Sequence, residues 1–306
     1  QTRGVYKTQT IMRVPEQGIP VPNLTKKEMF PEFSEFYSSS YDNSSVRISA
    51  RDSWRRTESL PYVAGEFRWT GFDYLGEAIK GWPTRFYNFG ILDLCGFPKD
   101  HFYYYKSQWT EEPMVHVLPH WTWPGKEGMV IPVWTYSNAD EVELFLNGKS
   151  LGSKSNRKQM NLSWDVPYHA GTLKAIAKNG GKKVSETIIK TASLPAEILI
   201  VSDKASIAAD GESCAHLEVN VLDKDGNFVP NADNLISFKI SGPAVNIGVE
   251  NGDPLDLTSS KIDQRKVFHG KCLMIIQSEK EAGEIRIEAS SDGLISDSIT
   301  LTSIIK

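Results

Sequence analysis

The apolar positions of the second half of the chain recur with a period of two. From about residue 113 onward, short runs such as "EVELFLNGKSLG" and "GTLKAIAKN" alternate apolar and polar residues and end at turn residues. A period of two is the period of a β-strand with one buried face. Asn147-Gly148 separates two such runs and suits a two-residue hairpin, whose primed turn requires positive φ. This half is therefore predicted to be all-β.

These predicted strands fall into two groups of different composition. None of the eight tryptophans follows Trp164, and Leu194-Pro195 forms a natural linker between the groups. Regular short strands separated by Gly and Asn turns are typical of β-sandwiches. We therefore expect one β-sandwich over residues 113–193 and a second over residues 194–306.

Two features of the second predicted sandwich leave alternatives open. "DKDGNFVP" resembles a calcium loop superficially, but Asn234 stands where a bidentate Glu would be needed, so a tight turn is favoured. Cys214 and Cys272 could form a disulfide between the two sheets. Two buried thiols are the favoured alternative, because Cys is among the most buried residue types.

Residues 1–112 follow a mixed pattern. "SARDSWRRTESL" predicts a short helix, and "PYVAGEFRW" predicts a short strand whose length suits a parallel strand buried on both faces. A helical aromatic segment is predicted from Lys99 to Trp109. Helix, strand, loop and helix in this order indicate an α/β segment.

Length and composition restrict the function classes. The chain has 306 residues, enough for two or three domains, and 40% hydrophobic residues can build ordinary cores. The net charge is −4 and no basic patch stands out, which argues against nucleic acid as a partner. No apolar run is long enough to span a membrane. No Cys/His cluster has zinc spacing, so no metal or other cofactor is expected. The opening "QTRGVYKTQT" has no initiator Met and no signal-peptide features, and we expect it to lie inside a longer protein.

Several motifs together resemble one family. "YVAGEFRWTGFDYLGE" followed by "FGILDLCGFPKD" is similar to the last strand and last helix region of the catalytic barrel of glycoside hydrolase family 2, of the β-galactosidase type. "TRGVY" resembles the segment just after the catalytic nucleophile of those enzymes. "EVELFLNGKSLG" and "ADGESCAHLEVNVLDKDGNFVPNADNLISFKISG" resemble their C-terminal accessory β-domains. The implied fold is multidomain: the end of a (β/α)8 barrel over residues 1–112, followed by two immunoglobulin-like sandwiches.

This resemblance implies a retaining exo-β-glycosidase, with β-galactosidase favoured over β-glucuronidase and β-mannosidase. Such enzymes use two carboxylates, one as nucleophile and one as acid and then base. Both catalytic Glu residues are expected upstream of this chain, so the chain alone is expected to be inactive. The implied partners are a β-galactoside or related carbohydrate and the N-terminal part of the same enzyme. The implied location is the periplasm or the cell exterior.

The substrate-binding candidates are Trp69 and Asp73. Trp69 would end the eighth barrel strand, where active sites of such barrels are built, and the family usually has a Trp there lining the sugar pocket. A core Trp is the alternative. Asp73 follows in the rim turn, where it could accept a sugar hydroxyl or cap a helix. Glu77 has the same two alternatives, and Tyr41, Asp42 and Asn43 could shape the pocket edge.

Glu66 is interpreted as a structural carboxylate rather than a catalyst, because it lies in the interior of the predicted strand and a catalytic group must reach the barrel mouth.

A rival hypothesis is a non-catalytic carbohydrate-binding or adhesion-like module. Trp121 and Trp123 in "HWTWPG" would share one face of a strand and could form its sugar platform. Packing at a domain interface is the favoured alternative for this pair. An adhesin would also have no reason to carry the two barrel-like motifs in barrel order.

Overall fold

A computed structural model describes residues 50–76, 83–87, 90–156 and 161–305, without the side chains of residues 50–53 and of Tyr87. Strands make up most of the regular secondary structure of the described residues. The helices are α1 (Ala50–Ser59) and α2 (Asp100–Trp109). The strands are β1 (Tyr74–Leu75), β2 (Phe86–Tyr87), β3 (Val115–Leu118), β4 (Val130–Ser137), β5 (Glu141–Leu146), β6 (Lys149–Ser155), β7 (Leu162–Pro167), β8 (Thr172–Asn179), β9 (Lys182–Lys190), β10 (Pro195–Ser202), β11 (Ser206–Ala208), β12 (Cys214–Asp223), β13 (Leu235–Ser241), β14 (Ala244–Glu250), β15 (Gln264–Lys266), β16 (Lys271–Ser278), β17 (Gly283–Ser290) and β18 (Asp297–Ile304).

Both helices predicted between residues 50 and 109 are confirmed. Helix α2 starts directly after Pro98 and Lys99, and it ends where the Thr110 amide donates to the Lys106 carbonyl. Its aromatic residues Tyr104 and Tyr105 are buried. Packing of these aromatic side chains therefore holds the helix against the rest of the unit.

The strand predicted over residues 61–69 is wrong. These residues form no strand, and the side chains of Tyr62 and Phe67 are exposed. A strand exists only where a neighbour satisfies its backbone N–H and C=O groups. Among the described residues only the two-residue strands β1 and β2 form a sheet in this part of the chain. The barrel origin of residues 1–112 stays a prediction.

The chain divides into two compact units. The first contains the described residues of Gln1–Tyr74 and Asn88–Thr191, and the second contains those of Leu75–Tyr87 and Ala192–Lys306. The sequence pattern did not predict that the short segment before residue 88 belongs with the C-terminal strands.

The first unit contains two antiparallel sheets, with strand orders β3-β4-β7 and β6-β5-β8-β9. Strands β5 and β8 alternate buried and less buried residues, as the sequence predicted. Strand β4 differs, because nearly all of its residues are buried. One reason is that α2 packs on it, with the Tyr104 and Tyr136 rings 5.5 Å apart in an edge-to-face contact.

The hairpin predicted between β5 and β6 is confirmed. Asn147 has φ 50° and Gly148 has φ 80°, so both central residues of the turn are left-handed. This is the conformation that a primed two-residue turn requires.

The second unit contains two sheets, with strand orders β10-β12-β16-β14 and β11-β18-β17-β13-β15. One apolar core fills the space between the sheets, with buried side chains from both, including Leu217, Val219 and Met274 from one and Ile285 and Ile287 from the other. The β-structure predicted for this part of the chain is confirmed. The short strands β11 and β15 were missed, because three residues are too few for a recognisable alternation.

Arg85 ties the segment before residue 88 to the C-terminal strands. Its guanidinium donates to both carboxylate oxygens of Glu250, at 3.0 and 3.3 Å, and to the Asp253 carbonyl at 3.2 Å. Its backbone amide donates to the Pro254 carbonyl. A bidentate Arg–carboxylate pair is geometrically specific. These bonds explain why the described residues of 75–87 pack as part of the second unit.

The disulfide considered between the two sheets is not formed. Cys214 lies on β12 and Cys272 on β16, which are neighbours in the same sheet. Cys272 is opposite Val219, whereas Cys214 is opposite Gln277. The register therefore keeps the two sulfurs on different rungs of the ladder.

The "DKDGNFVP" stretch forms a tight turn after β12. The Asp223 carboxylate accepts the backbone amides of Asp225, Asn227 and Ser193. Its oxygens are thus used to close the turn and to hold the chain that enters β10.

Candidate sugar-binding site

Residues 69–74, which we call the Trp69 turn, present a large aromatic ring to solvent. The Trp69 side chain is 68% exposed. Its Nε1 donates to the Tyr74 hydroxyl at 3.3 Å, and the two rings meet edge to face with centroids 6.1 Å apart. The Trp69–Thr70 peptide bond is cis. One edge of the indole is thus anchored while its surface stays accessible.

Backbone hydrogen bonds fasten the Trp69 turn to the segment that leads into α2. The Ile91 amide donates to the Thr70 carbonyl, and the Leu92 amide donates to the Gly71 carbonyl. In return, the Asp73 amide donates to the Leu92 carbonyl. The turn is therefore held along most of its length.

Asp73 lies beneath this ladder and is 4% exposed. Its Oδ1 accepts the Lys99 ammonium at 2.6 Å and the Gly90 amide at 2.8 Å. Lys99 is itself 2% exposed. Burial raises the pKa of Asp73 to about 6, and this effect outweighs the lowering by Lys99 and Gly90.

Gly90 is required by close packing against the turn. A Cβ atom at this position would lie 2.3 Å from the Asp73 nitrogen and from the Phe72 carbonyl carbon. Neither backbone atom can move away without breaking the ladder. Any side chain at residue 90 would therefore displace the Trp69 turn.

A second buried carboxylate shapes the loop before α2. Asp93 accepts the backbone amides of Cys95 and Phe97, both at 2.9 Å. Its negative charge also contributes to the raised pKa of Asp73. Asp93 thus fixes the loop from which Lys99 reaches Asp73.

Glu66 lies near α1 in the described structure. Its Oε2 accepts the Thr57 hydroxyl at 2.8 Å. This contact ties the extended segment before Trp69 to the helix. The strand in which Glu66 was expected to lie is not formed, and its structural role stays a prediction.

The sequence did not single out Lys99 or Tyr74. One sign for Lys99 was available, because a cation beside a helix N-terminus opposes the helix dipole. Lys99 occupies the N-cap position of α2 without capping it through its side chain. A lysine in that place indicates a carboxylate elsewhere, but only the fold identifies that carboxylate as Asp73.

The remaining candidates fall in two groups. Glu77 and residues 41–43 lie outside the described residues. Trp121 and Trp123 are buried, and their indole nitrogens donate to the carbonyls of His169 and His120. These two rings are core residues of the first unit, so the sugar platform of the rival hypothesis is not formed by them.

The chemistry of the Trp69 turn suits binding rather than bond cleavage. An exposed indole can stack on the apolar face of a sugar, and aromatic rings are common in ligand sites.

Over the described ranges, no group of three His, Cys, Asp or Glu residues is arranged to hold a metal ion. In the same ranges, no helix has the length and apolar character of a membrane span.

Comparison with known proteins points to the same family as the sequence motifs. Residues 198–300 match the family profile "Glycoside hydrolase family 2 C-terminal domain 5", and residues 128–185 match a domain of unknown function, DUF4982. A β-glycosidase structure from Bacteroides vulgatus superposes with a TM-score of 0.89 at 44% identity, over 99% of this chain and 40% of that one. The chain is similar to enzymes of glycoside hydrolase family 2. It corresponds to a C-terminal part of enzymes of this family.

Two curated relatives carry different activity names. The β-galactosidase BoGH2A of Bacteroides ovatus is 43% identical over 96% of this chain, which spans 34% of that protein. A putative β-glucuronidase of Formosa agariphila is 42% identical over 94% of this chain, which spans 30% of that protein. The chain thus spans about a third of the length of each of these two relatives.

Proposed function

We propose that this chain supplies one wall of the sugar pocket of a retaining exo-β-glycosidase, with a terminal β-galactoside as substrate. The observation that carries the proposal is the exposed, edge-anchored indole of Trp69 in a chain similar to enzymes of glycoside hydrolase family 2. The sugar would stack on the indole. Two glutamates outside this chain would cleave the bond by double displacement.

Asp73 belongs to the same proposed site. The sequence predicts that its carboxylate contacts the sugar, yet its oxygen Oδ1 already accepts two donors inside the protein. We therefore propose Trp69 as the residue that touches the sugar and Asp73 as a residue of the supporting turn.

Exposed apolar residues around the Trp69 turn indicate that a further part of the enzyme packs against it. Tyr62, Phe67, Phe72 and Leu75 all expose large parts of their side chains. Exposed apolar surface of this kind is typical of protein interfaces. We propose that the upstream part of the same enzyme covers it and brings the catalytic pair. We also propose that the whole enzyme works in the periplasm or outside the cell, which cell fractionation would test.

The test measures hydrolysis of p-nitrophenyl β-galactoside, β-glucuronide and β-mannoside. The chain is assayed alone and after mixing with the upstream part of the parent protein. We expect hydrolysis only after mixing, with the galactoside preferred. Preference for the glucuronide would overturn the substrate, and hydrolysis by the chain alone would overturn the placement of the catalytic pair.

A matched pair of tryptophan variants tests the role of Trp69. Trp69→Ala in the mixture should lower kcat/KM by roughly tenfold or more, because the stacking surface is removed. Trp109→Ala is the control, because Trp109 is also a partly exposed tryptophan but packs on Trp54 and Tyr105. Equal losses in both variants would contradict a binding role for Trp69.

A further inference from the structure

We propose that Asp73 and Lys99 form a positioning pair, which holds the Trp69 turn in the orientation that presents the indole to a sugar. This inference rests on the proposed function, because it concerns the same site. Neither residue needs to touch the sugar in this role.

The burial of the pair is the first argument. Lys99 and Asp73 are both almost fully buried and are joined at 2.6 Å. A buried ion pair is often no more stable than apolar residues of the same volume, because both charges lose their hydration. Stability alone is therefore a poor explanation for this pair, and a role in fixing one conformation explains it better.

The second argument is the number of segments that meet at the pair. Lys99 begins α2, and its backbone amide donates to the Ile91 carbonyl. Its ammonium reaches Asp73, whose Oδ1 also accepts the Gly90 amide. Two side chains thus connect the helix start, the 90–92 segment and the Trp69 turn.

The third argument is the short route from the pair to the indole. Tyr74 directly follows Asp73, and its hydroxyl accepts the indole Nε1–H of Trp69. A displacement of the Asp73 backbone would therefore move the group that anchors the indole. The pair acts on Trp69 through one peptide unit and one hydrogen bond.

Within the described part of the chain, the charged groups that act on Asp73 are Lys99 and Asp93. Burial, assisted by Asp93, raises the pKa of Asp73 to about 6 against the lowering by Lys99. Asp73 then gains a proton as the pH falls from 7 to 5, and its attraction to the Lys99 ammonium is lost. The environment of the Trp69 ring should follow this titration.

Fluorine NMR of the chain labelled with 5-fluorotryptophan tests this coupling. The Trp69 resonance is assigned with the Trp69→Phe variant and followed from pH 4.5 to 7.5. We expect the resonance to shift with a midpoint near pH 6 in the unaltered chain. A resonance that stays constant over this range would overturn the inference without any further variant.

Three variants separate Asp73 from other titrating groups. Asp73→Asn should abolish the titration of the Trp69 resonance, and Lys99→Met should move its midpoint upward, because the ammonium no longer favours the carboxylate. Asp100→Asn is the matched control, since Asp100 is a buried carboxylate paired with His116 at 2.8 Å. An unchanged Trp69 titration in Asp73→Asn would contradict the proposal.

Hydrolysis in the mixture with the upstream part distinguishes this inference from the proposed function. Asp73→Asn should lower kcat/KM by roughly tenfold, mainly through a higher KM, because the stacking surface is misplaced. Hydrolysis that is unaffected by Asp73→Asn would overturn the positioning role alone. No hydrolysis by the unaltered mixture would overturn the proposed function, and the NMR titration would still decide the coupling.

Discussion

Two buried aspartates show how a single carboxylate depends on its surroundings. Asp73 and Asp223 are both almost fully buried, yet their pKa values move in opposite directions. At Asp73, burial dominates. At Asp223, burial would raise the pKa, but hydrogen bonds from the backbones of Ser193 and Asn227 outweigh it and lower the pKa to about 2.

Asp73 predicts a loss of stability toward neutral pH. Its pKa is raised from 3.8 to about 6, so the folded protein keeps the proton longer than the unfolded chain. Protonated Asp73 therefore contributes about 3 kcal/mol to the free energy of unfolding. This stabilisation is fully present below about pH 4 and is lost as the pH rises through 6. Urea unfolding of the first unit across this range should show the decline. Asp73→Asn should flatten it, whereas the exposed control Asp165→Asn should retain it.

Asp223 predicts the opposite dependence in the second unit. Its pKa is lowered to about 2, so its contribution is present above pH 3.8 and is lost as the pH falls through 2. Asp223→Asn should therefore cost about 2 kcal/mol at pH 7 and much less at pH 2, by urea unfolding. Asp225→Asn, in the same turn but exposed, is the control. Equal costs at both pH values would contradict the assignment.

Element-scale packing makes some turns depend on glycine for two reasons. Gly242, between β13 and β14, has φ 100°, and a Cβ there would lie 1.9 Å from the Glu284 carbonyl oxygen. Gly293, between β17 and β18, has φ 77° but no atom within 4 Å of that Cβ position. The first glycine is required by conformation and by space, and the second by conformation alone.

This difference predicts unequal costs of alanine in one unit. Gly293→Ala should lower the free energy of unfolding by about 1–2 kcal/mol, the usual cost of a left-handed residue with a Cβ. Gly242→Ala should cost clearly more, because the β17 backbone must also move. Thermal unfolding of both variants measures this order. Equal losses would show that the Gly242 turn shifts without resistance.

Turn chemistry and alternation were readable elements of the sequence. The Asn147-Gly148 hairpin and the long strands of both units follow from local rules, because residue type and spacing set them. The strand expected over residues 61–69 failed for the opposite reason. Its apolar pattern is typical of a strand, but a strand also needs a neighbouring strand to pair with. The described residues form no such pairing there.

At the scale of the whole molecule, the second unit carries its own core. Its buried apolar cluster is drawn from residues 192–301, across both of its sheets. The described residues of the segment before residue 88 add the Arg85–Glu250 pair to the edge of this unit, and none of them belongs to that cluster. We therefore expect the C-terminal strands to fold without the rest of the chain.

A truncated chain tests this independence. Residues 192–305 expressed alone should unfold cooperatively in urea, because the apolar cluster is complete. In the full chain, Arg85→Met should raise hydrogen exchange of residues 83–87 and leave residues 141–146 unchanged. Lys178→Met is the control, because its half-buried ion pair with Glu143 lies in the first unit. A truncated chain without a cooperative transition would contradict the separation.

The sequence by itself determined the local features, which are two helices, the long strands and the hairpin, and it showed the likeness to glycoside hydrolase family 2. It also indicated Trp69 as a candidate sugar-binding residue, since an aromatic residue followed by a polar turn is visible in one short stretch. Only the tertiary structure decided which distant groups meet. The partnership of Asp73 with Lys99, the burial of Trp121 and Trp123, and the attachment of Arg85 to Glu250 join residues far apart in the chain. Local spacing carries no information on such contacts, because they are selected by packing and by the satisfaction of buried charges.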